Sequence, residues 1–134
     1  MLLHIDDNKL VTDVQEDFSD SYPFLKIEFY DQPHHYKETS TPNHRISPDK
    51  KIGVIRNMHD PVNLEILSWY STGRVEREFK EKSGLNVQVF RRDGGAWIQT
   101  GISDSYTLAE QVERAQRAIV IPKKKRTEIE YEYL

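Results

Sequence analysis

The sequence predicts an α+β fold, a ferredoxin-like split β-α-β sandwich with an added hairpin strand and a C-terminal helix. Three observations carry this reading. "LKIEFY" at 25–30 and "LNVQVF" at 85–90 are one alternating segment written twice. Each is preceded by an apolar i, i+4 pair, Val14/Phe18 and Val75/Phe79, and before that by a short alternation, Leu3/Ile5 and Leu64/Ile66. Period two marks a strand and i, i+4 spacing marks a helix, so each half reads β-α-β. The third observation is Asp93-Gly94, a strong hairpin signal, between "LNVQVFRR" and the returning "AWIQTGI".

The two halves stay in step. Leu3, Ile5, Val14 and Phe18 match Leu64, Ile66, Val75 and Phe79 at a separation of 61. Leu25, Ile27, Phe29 and Tyr30 match Leu85, Val87, Val89 and Phe90 at a separation of 60. Any two β-α-β units share apolar spacing, so the alignment establishes the repeated pattern and leaves duplication open.

Each element has its own local signal. Thr12 and Gln15 form a T-x-x-Q capping box, which starts the first helix near Asp13, and Pro23 lies beyond its end. Thr72 is the expected cap of the second helix, and Gly84 stands where a left-handed C-terminal cap belongs. Thr107 and Glu110 form a further box opening a third helix, with Leu108, Val112, Ala115 and Ile119 along one face before Pro122. "KKIGVIR" at 50–56 reads equally as strand through Ile52/Val54 or as helix through Ile52/Ile55. The resulting organisation is a single domain over 1–121, with halves at about 1–31 and 62–92, a connection at 32–61 and a tail at 122–134. A pair of ubiquitin-like β-grasp units sharing a sheet is the alternative.

Composition limits the function classes. The chain of 134 residues is 37% apolar and 31% charged, with net charge −3 and no cysteine. That excludes disulfide frameworks and thiolate metal sites and gives no global attraction to nucleic acid. The sequence has no apolar run of membrane-spanning length, and "MLLHIDDNKL" has no secretory character. A cytoplasmic location, no membrane association and no cofactor are the expectations.

Alternation assigns Leu25, Ile27, Phe29, Leu85, Val87 and Val89 to the core face, and Lys26, Glu28, Tyr30, Asn86, Gln88, Phe90 and Arg92 to the opposite face. A turn at Asp93-Gly94 pairs Phe90 with Trp97 and brings Trp97 and Gln99 to that second face. Tyr30, Phe90, Trp97 and Arg92 are therefore the expected contact surface, because aromatic residues and arginine are enriched at protein interfaces. A cover formed by the third helix or the tail is the competing explanation. RNA binding is disfavoured, since neither strand carries the glycine-aromatic RNP1 pattern.

"DQPHHYKETSTPNHR" holds His34, His35 and His44 near Asp31, with His59 further on. Three imidazoles could complete a zinc or manganese site. Adjacent histidines on extended backbone diverge, however, and no HExxH pattern is present, so a polar loop is the preferred reading. No glycine-rich phosphate loop or G-x-S-x-G elbow occurs. No catalytic or metal assignment follows. The tail joins "KKKR" at 123–126 to "TEIEYEYL", in which Ile129, Tyr131 and Tyr133 alternate with Glu128, Glu130 and Glu132. This predicts a terminal strand that completes a sheet edge or tethers an oligomer.

Residues 84–111, "GLNVQVFRRDGGAWIQTGISDSYTLAEQ", resemble a family of small uncharacterised bacterial proteins with a Gly-Leu-x-Val-Gln-Val-Phe-Arg core. In that pattern a glycine turn, a tryptophan strand and a Thr-Leu-x-x-Gln helix start follow the core. The resemblance implies one compact domain and no assigned activity. Gly101 and the basic-acidic tail depart from it. The functional expectation is a non-enzymatic protein-binding or self-associating module, whose partner is another protein or its own copy. A metal-dependent enzyme using the histidine loop and an RNA-binding module are the alternatives.

Overall fold

In the computed structural model, residues 1–33 and 42–120 are described. The order is β1 (Leu2–Ile5), α1 (Val11–Ser21), β2 (Leu25–Tyr30), α2 (Ile52–Ile55), β3 (Val62–Glu65), α3 (Thr72–Ser83), β4 (Asn86–Asp93), β5 (Ala96–Gln99) and α4 (Leu108–Val120), with 3₁₀ turns at Pro42–His44 and Gly101–Ser103. The fold is α+β, compatible with a split β-α-β sandwich. Its strands form two antiparallel sheets, β1-β3 and β2-β4-β5, and not one shared layer.

The registers show how the halves relate. In the small sheet Leu3 stands opposite Leu64. In the larger one Glu28 stands opposite Gln88. Both are pairs of repeat equivalents, so each ladder is centred on a residue facing its own counterpart. Antiparallel pairing of equivalent strands about such a centre defines a pseudo-twofold axis through both sheets.

The same relation extends past the strands. Val11 N–H donates to Lys50 O at 2.8 Å, and its equivalent Thr72 donates to Tyr106 O at 2.8 Å. Ile52 N–H donates to Lys9 O at 2.8 Å, as Leu108 does to Tyr70 O at 3.1 Å. Isolated bridges join Leu10 to Lys51 and Ser71 to Thr107. The single turn α2 is thus the counterpart of the long α4, and the repeat continues through the segment between the halves. This resolves 50–56 as helical.

One core fills the space between the sheets and helices. Val11, Val14 and Phe18 of α1, Val75 and Phe79 of α3, and Leu3, Ile5, Leu25, Ile27, Phe29, Leu64 and Val89 are essentially inaccessible. Burial of each such large side chain contributes roughly 1.5–3 kcal/mol. Phe29 and Phe79 meet edge to face at 6.4 Å between centroids.

Several local details differ from the sequence expectations. Helix α1 starts at Val11, because the Asp13 carboxylate accepts from Leu10 N–H at 2.8 Å and caps the helix ahead of Thr12. Gln15 is thereby released for a tertiary role. Ser71, not Thr72, caps α3 by accepting from Arg74 N–H at 3.1 Å, while the Thr72 hydroxyl donates to Tyr106 O. The box at Thr107 and Glu110 forms as expected, with both reciprocal bonds at 3.1 Å, and Gly84 is left-handed with φ 71°. Along α4 the buried line runs through Leu108, Gln111, Ala115 and Ala118, which turns Ile119 out to 60% exposure.

Candidate functional site: a cation–aromatic sheet face

The hairpin turn is Gly94-Gly95, one residue later than the sequence signal. Only Gly94 has a positive φ, 62°, the pattern of a II′ turn. Arg92 therefore stands opposite Trp97, and Phe90 opposite Gln99. The shift in register is two residues, so Trp97 and Gln99 stay on the same face as Phe90 and Arg92 while their partners change.

On that face cations and rings interleave. Lys26 Nζ lies 5.1 Å from the Phe90 centroid and 5.1 Å from that of Trp97. The Arg45 guanidinium lies 5.7 Å from Phe90, and that of Arg92 lies 5.2 Å from Trp97. Arg45 arrives because residues 44–46 run beside β2, with Ile46 N–H donating to Phe29 O and Asp31 N–H donating to His44 O. Such cation–ring contacts are worth about 0.5–1 kcal/mol each at exposed sites and more when desolvated. They hold long basic side chains flat against the sheet.

The four expected contact residues separate by exposure. Tyr30 and Phe90 are 2% and 6% exposed, yet neither belongs to the main core cluster. Burial raises the Tyr30 phenol above its ordinary pKa, with Arg45 beside it pulling the other way. Trp97 and Arg92 are half-buried and accessible. The accessible part of this face is thus Trp97 and Arg92, joined by Lys26, while Tyr30 and Phe90 are buried behind it.

Beneath the cations sits a buried polar centre. Glu28, 8% exposed, accepts from Gln15 Nε2 at 3.0 Å and Lys26 Nζ at 3.1 Å. Gln15 also donates to Ile27 O at 2.9 Å. In the other half the roles reverse: Glu76 accepts from Gln88 Nε2 at 3.1 Å and from Val89 N–H at 2.9 Å. Gln15 and Glu76 are repeat equivalents, as are Glu28 and Gln88. Each helix therefore reaches its strand through one amide and one carboxylate, exchanged between halves, and each buried polar group gains a complementary partner.

Two clefts obey the same symmetry. One of about 240 Å³ lies between α1 and β2, bordered by Gln15, Ser19, Lys26, Glu28 and Trp97. Another of about 220 Å³ lies between α3 and β4, bordered by Glu76, Arg77, Lys80 and Asn86. Thr12/Gly73, Gln15/Glu76, Glu16/Arg77, Ser19/Lys80, Lys26/Asn86 and Ile27/Val87 occupy equivalent wall positions.

Of the histidine loop, His34 and His35 lie outside the described residues. His44 pairs with Asp31 at 3.0 Å and His59 with Asp7 at 2.8 Å, so these two imidazoles serve different carboxylates. Among the described residues no group of three or more His, Cys, Asp or Glu side chains could hold a metal ion. No helix of the described residues is long and apolar enough to cross a membrane. Ile129, Tyr131 and Tyr133 also lie outside the described residues.

Alternation put Lys26 and Glu28 on this face, but sequence reasoning did not find Lys26's place over the Phe90 and Trp97 rings, the arrival of Arg45 or the Gln15–Glu28 link. Nor did it find Trp69, 62% exposed, which meets Tyr70 edge to face while Arg74 stacks on both rings. Cation–ring pairing across strands has no sequence-local signal. No family model, curated protein or solved structure matches this chain.

Proposed function

We propose that the chain is a non-enzymatic protein-binding module that self-associates through the face centred on Trp97, flanked by Arg92 and Lys26. The observation that carries this is the partly accessible Trp97 indole, held between two cations on a firmly seated sheet. Tryptophan and arginine anchors of this kind dominate interface energetics, and preorganisation lowers the entropic cost of docking. Cytoplasmic residence and a homo-oligomeric, ferredoxin-like module are part of the same reading. The resemblance of residues 84–111 to small uncharacterised proteins supports one compact domain without adding an activity.

The geometry weighs against the RNA-binding alternative. A stacking platform offers two or three open rings, whereas Tyr30 and Phe90 are buried and leave one. Light scattering over a concentration series tests the proposal, comparing the native chain with Trp97→Ala and Arg92→Glu. The expected result is at least tenfold weaker association in each variant. Unchanged association, or a Trp97→Ala variant that loses several kcal/mol of stability at constant size, would place Trp97 in a core instead.

A further inference from the structure

We propose that Arg91, Arg114 and the Tyr106 hydroxyl form a binding site for a phosphate group at the seam between β4 and α4. Alternation puts Arg91 on the sheet face away from Trp97 and Arg92, so this site stands apart from the self-association reading.

Three observations converge. First, two guanidiniums are held near each other without a counter-charge. Arg91 donates to Gln111 Oε1 at 2.8 Å and Arg114 donates to the Tyr106 hydroxyl at 3.0 Å, both neutral oxygens. Neither arginine joins an ion pair among the described residues. The neighbouring carboxylates of α4 are engaged elsewhere, Glu110 with Thr107 N–H and Glu113 with Arg117. Burial, and after it the Arg114 charge, lower Arg91 below its ordinary pKa, while Asp93 and Tyr106 pull it up. Arg114 and Tyr106 are thus both close enough to act on Arg91. Like charges kept in reach of one another repel, and a dianion between them would relieve that repulsion.

Second, the donors are already aimed. Gln111 is wholly buried, and its amide donates to Ser103 Oγ at 2.9 Å, Ser103 O at 3.1 Å and Thr72 Oγ1 at 3.3 Å. With its N–H groups committed there, the amide carbonyl is left facing Arg91 and fixes that guanidinium. Arg114 lies one turn further along the same helix face, its guanidinium over the Tyr106 ring at 4.4 Å from the centroid. A guanidinium carries five N–H donors, so both arginines keep donors for a ligand. The Tyr106 hydroxyl accepts from Arg114, which leaves its own proton for an anionic oxygen.

Third, the repeat supplies an internal comparison. The equivalent of Arg91 in the first half is Asp31, paired with His44, and the equivalent of Gln111 is Ile55. The fold is therefore built once without this constellation, and packing alone does not call for it. Arginine forks match the oxygens of phosphate, and two of them balance its double charge.

Titration with inorganic phosphate at constant ionic strength, followed by NMR of the arginine side-chain N–H groups, tests the proposal. Saturable shifts at Arg91 and Arg114 are expected, with affinity about tenfold weaker in Arg114→Gln and several-fold weaker in Tyr106→Phe. Both variants should keep the native unfolding midpoint, which separates lost binding from lost fold. The native chain alone decides if a variant is unstable: shifts that fail to saturate, or that chloride reproduces, overturn the site. Equal affinity in Arg114→Gln overturns it as well, and acetate binding as tightly as phosphate overturns the assignment to phosphate. A parallel titration with glycerol phosphate identifies the source. Tighter binding than inorganic phosphate assigns a phosphate monoester, weaker binding assigns the free ion, and either result upholds the site.

Discussion

Glu28 and Gln88 face each other across the β2–β4 ladder, and each is the other's counterpart in the repeated unit. One is ionisable and one is not, and the helix side chains that serve them, Gln15 and Glu76, are exchanged to match. A Gln88→Glu variant would set two carboxylates about 3 Å apart at a buried site, where Glu76 now accepts an amide proton. Its expected cost is about 3 kcal/mol. Adding Glu76→Gln recreates the amide–carboxylate link of the first half. Chemical denaturation should show the double variant recovering at least about 1 kcal/mol relative to additivity.

Trp97 and Phe90 share a sheet face but differ in accessibility, which separates docking from packing. Phe90→Ala should cost about 3 kcal/mol in urea unfolding, as expected when a buried ring is removed. Trp97→Ala should cost about 1 kcal/mol or less and weaken self-association.

Arg56 is a wholly buried guanidinium whose donors reach Asp7 Oδ1 at 2.9 Å, Ser83 O at 3.2 Å and Asp60 O at 3.0 Å. It ties the loop after β1 to the end of α3. Arg56→Met should destabilise the protein by about 3 kcal/mol, measured by thermal melting, because the carboxylate and both carbonyls lose their donor.

Partial burial raises the Asp7 carboxyl, but hydrogen bonds from Arg56 and His59 outweigh it and hold the group below its ordinary value of 3.8. A carboxyl with a depressed folded-state pKa stabilises the fold above its unfolded value. That contribution is lost as pH falls through the lowered value. Between pH 5 and pH 2, melting temperature should therefore fall less steeply in Asp7→Asn than in the native chain.

Gly84 closes α3 with φ 71°, and a Cβ there would meet Met58 Sδ at 3.3 Å. The flexible thioether can yield, so the backbone conformation sets the penalty. Gly84→Ala should lower stability by about 1–2 kcal/mol, read from the denaturant midpoint.

Much of this was legible in the sequence because apolar periodicity is a local signal. Val14/Phe18, Val75/Phe79 and the two alternating strands announced their elements and their buried faces. The cap at Gly84 and the box at Thr107 were equally plain. The capping of α1 was not, because Asp13 and Thr12 offer competing caps and only the chain path decides between them. The hairpin register slipped since Asp93-Gly94 and Gly94-Gly95 both suit a tight turn. The candidate site was the least legible part. Which rings stay open depends on Lys26 and Arg45 crossing strands, and such placement is fixed by tertiary geometry. The repeat itself ran further than the apolar alignment indicated, because backbone hydrogen bonds around Lys9, Lys51, Tyr70 and Thr107 carry it without matching side chains.

The pairing of equivalent strands has a consequence for how this chain reaches its native state. The described partner of β1 is β3, and that of β2's full length is β4, so an isolated N-terminal half would have no sheet to fold into. Cleavage between the halves should yield fragments that stay unstructured apart and regain order on mixing. Acquisition of structure is thereby bound to a single long-range encounter, with neither half able to serve the other as a preformed template.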